Sequence, residues 1–151
     1  MEFRKMKIRK IQNSDVEQCS KILERAYTQP PYKEKFNKGM ALLYVKSKYK
    51  NCNEHSFVMV DNNENILAFA FCSISAWTNG LQAMIEEIVV DTGLQNNGIG
   101  TNLLDHISEY LISKNIKSIM LWAHKAKNLQ AFYKNNGYSV AEDFTVMFRD
   151  L

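Results

Sequence analysis

The stretch Gln95-Asn96-Asn97-Gly98-Ile99-Gly100-Thr101 separates an apolar run from a strongly amphipathic one, the place of a turn from strand into helix. At a helix start the first backbone N–H groups lack intrahelical acceptors and carry partial positive charge. Glycines at 98 and 100 remove Cβ atoms, so phosphate oxygens could approach those N–H groups closely. Thr101 and Asn102 could add side-chain donors. The chemistry on offer is anion binding; the plainer alternative is a glycine-assisted turn that binds nothing. Two other nucleotide patterns are excluded. No lysine follows either glycine, as a P-loop requires, and Leu103 stands where a dinucleotide fingerprint needs its third glycine.

A second feature is the pair Glu86 and Glu87, set inside an Ile- and Val-rich run. A carboxylate there is costly unless it faces a cavity or solvent. Strand alternation sends successive side chains to opposite faces, so the two would not share one role; a β-bulge would reverse that expectation. Either one carboxylate faces a cavity, or both reach water at an edge.

These residues need elements to hold them. Residues 6–11 alternate in character and read as a first strand. Ser14, with Glu17 three residues on, forms a capping box, and Val16, Cys19, Ile22, Leu23 and Ala26 follow at helical spacing to about Tyr27. Pro30-Pro31 ends that helix. A second is expected over 35–49, with Phe36, Met40, Leu43 and Tyr44 on one face. Residues 56–60 and 66–75 make a hairpin around the polar turn 61–65. After a loop at 77–81, residues 83–90 form the strand that carries the two glutamates. Ile99, Leu103, Ile107, Tyr110 and Leu111 mark the helix after the glycine turn.

Residues 118–123 read as a strand buried on both faces, 128–135 as a short helix capped by Gly137, and 138–140 and 144–148 as one or two closing strands. The order β-α-α-β-β-β-α-β-α-β(-β) contains no repeat and no boundary, so residues 1–151 are expected to form one domain.

Composition bounds the rest. A chain of 151 residues, 46% hydrophobic and 23% charged, can bury one sizeable core. A net charge of +3 is too weak and scattered to argue for nucleic acid. Cys19, Cys52 and Cys72 are odd in number and form no CxxC pair, which points to a reduced intracellular protein without a structural metal site. Residues 1–10 carry charges with no apolar stretch behind them, and no run is long enough to span a bilayer. A cytoplasmic protein is expected.

Two stretches together carry a family likeness. Ile85-Glu86-Glu87-Ile88-Val89-Val90-Asp91 followed by Gln95-x-x-Gly98-x-Gly100-Thr101-x-Leu103-Leu104 resembles the central motif of the GNAT family of N-acetyltransferases. Ala131-Phe132-Tyr133-Lys134-x-x-Gly137-Tyr138 resembles that family's second signature. Element order matches over nearly the whole chain. The resemblance implies an α/β (α+β) fold with a mixed central sheet of six to seven strands, splayed at the motif strand and flanked by about four helices.

It also implies a mechanism. The acetyl group of acetyl-CoA would pass to a primary amine of a small molecule, by direct attack in a ternary complex, with no metal. The backbone of Ile88, Val89 and Val90 would pair with the pantetheine arm, and the turn formed by Gln95, Asn96, Asn97, Gly98, Ile99, Gly100 and Thr101 would hold the pyrophosphate. Tyr133 matches the tyrosine that protonates the departing sulfur. Glu86 matches a position where relatives carry a glutamate, so it is the expected base, with Glu87, Tyr32 and Trp77 expected to bind substrate.

The family asparagine that holds the cofactor arm falls on Ala126, with Asn128 two residues late. His124 is left outside the catalytic set, and Lys125 and Lys127 read as a solvated face. Acetylation of a protein N-terminus or lysine is the alternative activity; a non-catalytic acetyl-CoA-binding module is the alternative class. Residues 144–148 offer an edge through which a homodimer could pair.

Overall fold

In the computed structural model, which describes residues 5–151, five strands form one sheet in the order β1-β2-β3-β4-β5. The part of the leader reading that rests on residues 1–4 lies outside the described residues. Strands β1 (Lys7–Lys10), β2 (Phe57–Val60), β3 (Ile66–Trp77) and β4 (Gly80–Val90) run antiparallel in sequence. Strand β5 (Ser118–Leu121) joins β4 in parallel, across the helix α3 (Ile99–Ser113), as a parallel connection requires.

Helices α1 (Val16–Thr28) and α2 (Met40–Cys52) cover one face, and α3 with α4 (Lys127–Asn135) covers the other. Two cores result. Cys19, Ile22, Leu23 and Val45 meet Phe69, Phe71 and Val89 on the first face. Leu103, Leu104, Ile107 and Leu111 meet Ala68, Ala70, Cys72 and Ile85 on the second. This sandwiching buries β2 on both faces, and the small residues Ala68, Ala70, Cys72 and Ala83 of β3 and β4 let α3 sit close.

The first helix starts differently from expectation. Asp15, rather than Ser14 with Glu17, organises the turn. Its carboxylate accepts the Gln12 N–H at 2.7 Å and both ends of the Arg9 guanidinium at 2.8 and 2.9 Å. Glu17 instead pairs along the helix with Lys21 at 3.1 Å. The second helix begins at Met40, not 35, because Gly39 takes a left-handed φ of 82° immediately before it. Ala41, Val45 and Cys52 are its buried residues, while Met40 and Leu43 of the expected face are exposed. Tyr44 and Lys48, one helical turn apart, are turned towards β4.

Strands β3 and β4 extend to a tight hairpin, with Trp77 paired to Gly80, where a longer loop is expected from sequence. Strand β5 stops at Leu121 and is half exposed rather than buried on both faces. The closing strands expected at 138–140 and 144–148 do not form among the described residues. The six to seven strands expected are therefore five here. Strand β5 remains an edge, and a strand covered on only one side cannot be buried as a central one is.

Candidate active site

Strand β4 is paired along its whole length with β3 but only over Gln82–Ile85 with β5. Beyond Ile85 the two parallel strands part, and among the described residues nothing pairs with that edge of β4. The direction of its backbone groups follows from one bond. The Asp91 N–H donates to the Leu67 carbonyl at 2.9 Å, so residue 91 and every second residue before it point at β3. Val89 and Glu87 thus bond across the hairpin, while the backbone groups of Ile88 and Val90 point to the open slot, where the Val90 carbonyl accepts the Gln95 side chain. Of the three backbones expected to meet the cofactor arm, those of Ile88 and Val90 point to the slot and that of Val89 points to β3.

The register shifts between Phe71↔Glu87 and Cys72↔Ile85, which leaves Glu86 without a residue opposite. This bulge cancels the alternation, and both carboxylates meet residues of the α1–α2 side. Glu86 accepts a hydrogen bond from Ser73 at 2.7 Å and pairs with Lys48 at 2.9 Å. Glu87 accepts one phenol on each oxygen, Tyr27 and Tyr44, both at 2.9 Å. Burial draws the Glu86 carboxyl upward, but Ser73 and Lys48 outweigh it and hold the group below the usual carboxylate range. For Glu87 burial wins over the two phenols and the Ile88 N–H, and the carboxyl lies above its ordinary value. The phenols of Tyr27 and Tyr44 are pushed up in turn, by burial first and then by Glu87.

Glu87, Tyr27 and Tyr44 line an open cavity of about 260 Å³ with Leu23, Phe36, Glu34 and Lys35. Tyr32 packs against Tyr27 at 4.5 Å between ring centroids and against the His124 ring at 5.4 Å. It spans from the end of α1 to the loop after β5, across the slot. His124 itself accepts the Ala126 N–H through Nδ1 at 3.0 Å; it closes the turn into α4. Trp77 is not brought to this cluster. It sits at the hairpin tip, 69% exposed, and its partner Gly80 is seven residues from Glu87, roughly 20 Å along a strand at about 3.3 Å per residue.

On the other face of the sheet, α3 opens on Gly98 at φ 78°, and its first internal bond runs from the Asn102 N–H to the Gly98 carbonyl. The N–H groups of residues 98–101 have no intrahelical acceptor, and no side chain caps them. The two glycines do different work. A Cβ at Gly98 would meet nothing within 4 Å, so left-handed geometry and open approach are what glycine provides. A Cβ at Gly100 would lie 3.0 Å from Phe132 Cζ and 3.5 Å from Val90 Cγ2. Glycine there lets the ring of α4 press against the start of α3.

The side chains of Gln95 and Asn97 stay within the loop. Gln95 donates to the Val90 carbonyl at 3.3 Å, and Asn97 donates to the Leu94 and Gln95 carbonyls at 3.3 and 3.2 Å. Asn96 takes a left-handed φ of 64°. Arg25 of α1 clamps the loop's first residue, Asp91, with contacts of 3.2 and 2.8 Å.

Tyr133 follows Phe132 on α4, half-buried beside Tyr138 at 5.8 Å between ring centroids. Its helix ends in a Schellman turn, with the Tyr138 N–H on the Tyr133 carbonyl at 3.0 Å and the Gly137 N–H on Lys134 at 3.1 Å, Gly137 lying at φ 87°. Burial, then Tyr32, Glu87 and Tyr138, raise the Tyr133 phenol well above its ordinary value. It stays protonated across neutral pH and feels the charge of Glu87 through the gap in the sheet. Asn128 is exposed in the first turn of α4.

Arg25 and Lys48 carry no sequence signal beyond ordinary surface charge. Tyr27 and Tyr44 are visible as aromatics; Glu87 shares their face with Val89 by strand alternation, and the bulge, which no periodicity reveals, brings Glu86 to the same side.

A family model described as the acetyltransferase (GNAT) family matches residues 16–138. No curated protein matches the chain by sequence. Among solved structures, it resembles a possible acetyltransferase from Clostridium difficile 630 at 18% identity, covering 97% of both chains with a TM-score of 0.80. A predicted acetyltransferase with acetyl-CoA from Clostridium acetobutylicum is 21% identical, with 95% of this chain and 96% of that one covered and a TM-score of 0.74. An aminoglycoside acetyltransferase from an uncultured soil metagenomic sample, in complex with trehalose, is 18% identical, with 97% and 96% covered and a TM-score of 0.71.

Proposed function

The chain belongs to the acetyltransferase (GNAT) family, and from that premise we propose that it moves an acetyl group from acetyl-CoA to the primary amine of a small cationic molecule. The observation that carries the reading is the gap in the sheet beyond Ile85. It joins an anion-binding helix start on one face to a carboxylate-bearing cavity on the other.

The residues present fit an extended acyl-CoA arm. Ile88 and Val90 offer a strand edge to its amides, the N–H groups of residues 98–101 offer a seat for its pyrophosphate, and the space around Gly98 is open to its approach. When bound, acetyl-CoA supplies the activated thioester. An ammonium entering the cavity of Glu87, Tyr27 and Tyr44 must lose a proton before it can attack. Glu87 receives it, directly or through a water.

Between the two carboxylates the geometry favours Glu87 as the base. Glu86, the expected one, already accepts hydrogen bonds from Ser73 and Lys48 that keep it a weak proton acceptor. Its role is to brace the bulge. Tyr32 walls the passage between cavity and slot. Tyr133, held protonated, gives its proton to the departing sulfur. The amine attacks directly in a ternary complex, because the cavity lies on the α1–α2 face and the helix start on the α3 face, so both can fill together.

Titration calorimetry with acetyl-CoA, CoA and a few nucleotides tests the cofactor, with binding expected for the first two alone. Thiol release is then followed over a panel of small amines, peptides with free N-termini and lysine peptides. Turnover confined to the peptides overturns the substrate class, and acetyl-CoA binding with no thiol release on any amine overturns catalysis.

A further inference from the structure

The carboxylates around the α1–α2 cavity are not matched alike. Glu86 meets a cation, with Lys48 Nζ 2.9 Å from one oxygen and the Ser73 hydroxyl 2.7 Å from the other. Glu87 meets two neutral phenols, Tyr27 and Tyr44, one on each oxygen at 2.9 Å. Glu34 lies exposed at the rim beside Lys35, where water and salt screen both charges. Among the described residues, Glu87 is therefore the carboxylate of the cavity wall that keeps its charge for a ligand.

Helix α2 places Lys48 for this balance. The residue stands one turn after Tyr44, with its ammonium 5.5 Å from the centre of the Tyr44 ring. The helix that aims a phenol at Glu87 thus aims a cation at Glu86. Because the bulge turns both carboxylates to this side, the cavity without Lys48 would be bordered by two negative charges on successive residues. With Lys48 it is bordered by one.

The rest of the wall is apolar. Leu23, Phe36 and the Tyr27 and Tyr44 rings border a space of about 260 Å³. A cavity of about 150 Å³ admits benzene, so a ring or a short alkyl chain fits here with its amine on Glu87. Two of the roughly four acceptor positions on that carboxylate are taken by the phenols, which leaves room for one ammonium. A second ammonium on the same molecule would lie against Leu23 and Phe36, where an unpaired charge is costly.

We propose that Lys48 determines acceptor specificity: by cancelling Glu86 it selects amines with one positive charge and an apolar body over diamines and polyamines. It acts through Glu86 and touches no substrate. The inference rests on acetyl transfer at Glu87 and narrows its substrate class.

Hexylamine and hexamethylenediamine differ by one ammonium and form the test pair, with thiol release from acetyl-CoA followed on the full chain. Per amino group, kcat/KM should favour hexylamine by on the order of tenfold. Lys48→Met bares Glu86 and should lower that preference about fivefold, the upper range for a partly exposed ion pair. Lys48→Arg should keep it. Glu86→Gln leaves the Lys48 cation unmatched and should increase it, which tests the balance even where Lys48→Met does not fold. Damage to the base or the fold slows both amines and cancels in the ratio.

A native protein that uses the diamine as well as hexylamine overturns the inference and leaves acetyl transfer to small amines standing. A preference unmoved by both Lys48→Met and Glu86→Gln removes Lys48 from the role. Turnover of other small amines but of neither member of the pair refutes the apolar body. Turnover of no small amine overturns the proposed substrate class, and this inference with it.

Discussion

Substituting Gly98 separates the shape of the turn from its use. The residue lies at φ 78° with nothing within 4 Å of a built Cβ. Alanine there meets no clash but must adopt left-handed backbone, at a cost of about 1–2 kcal/mol. Restricting the unfolded chain returns roughly 0.5 kcal/mol, so Gly98→Ala should lose about 1 kcal/mol net. For a chain of this length that is roughly 2–4 °C in Tm. Gly98→Asn should recover most of the loss, since asparagine is several-fold enriched in this conformation.

Ligand binding should behave differently. Acetyl-CoA at about 100 times its Kd stabilises a protein by roughly 2.7 kcal/mol, or about 5–10 °C here by the same conversion. Either side chain places atoms where a phosphate oxygen approaches the N–H groups. A tenfold weaker Kd reduces the gain to about 1.4 kcal/mol at the same ligand concentration, so the shift should be roughly halved in both variants. Differential scanning fluorimetry with and without acetyl-CoA reads both quantities. A Gly98→Asn protein that is stable and keeps the full native shift would refute the placement of the pyrophosphate at this turn.

Tyr133→Phe should bind acetyl-CoA normally in calorimetry but turn over about 100-fold more slowly, the low end for loss of a general acid; unchanged turnover, with chemistry shown to limit the rate, removes the phenol from that role. Glu87→Gln should abolish the acidic limb of the kcat/KM profile, since a base must be ionised and this carboxyl titrates above the usual range, and a limb that persists excludes it. The same raised value makes the folded form hold its proton more tightly than the unfolded one. The contribution of Glu87 to native stability is then greatest below the ordinary carboxylate pKa and declines as pH rises through the folded value; urea unfolding from pH 4 to 8 should show that contribution removed in Glu87→Gln. Asp15→Ala removes the acceptor for Arg9 and for the Gln12 N–H, and should cost about 3 kcal/mol; a Tm within 1 °C of native would show that pair to be idle.

The elements that sequence locates best are those whose burial follows one period. Helix α3 buries Ile99, Leu103, Ile107 and Leu111 as its spacing requires, and β2 and β3 lie where their apolar runs put them. The glycine turn is legible because a left-handed residue at a helix start leaves a chemical mark. What sequence misses depends on neighbours. The expected burial of 118–123 and the closing strands both presuppose a partner beside β5, and apolar alternation cannot say whether one is present. Helix α2 shows the same limit: Met40 and Leu43 match an apolar face, but its start at Gly39 turns Ala41 and Val45 inward instead. The candidate site follows this division. Gly98, Tyr133 and the Glu86–Glu87 pair stand out by type, whereas the turn of both carboxylates towards the α1–α2 side requires a bulge, and a one-residue offset between strands has no composition.

The close approach of Phe132 to Gly100 ties together two stretches that sequence presents as separate signatures. A ring that a Cβ would crowd at 3.0 Å couples the start of α3 to the body of α4. Displacing either should therefore register twice, in affinity at the turn and in the aim of the neighbouring Tyr133. Gly100→Ala alone should weaken acetyl-CoA binding and slow turnover together, and adding Phe132→Leu, which vacates the crowded space, should restore both. Positions 100 and 132 are in this sense coupled, and a change at one is best tolerated with a matching change at the other.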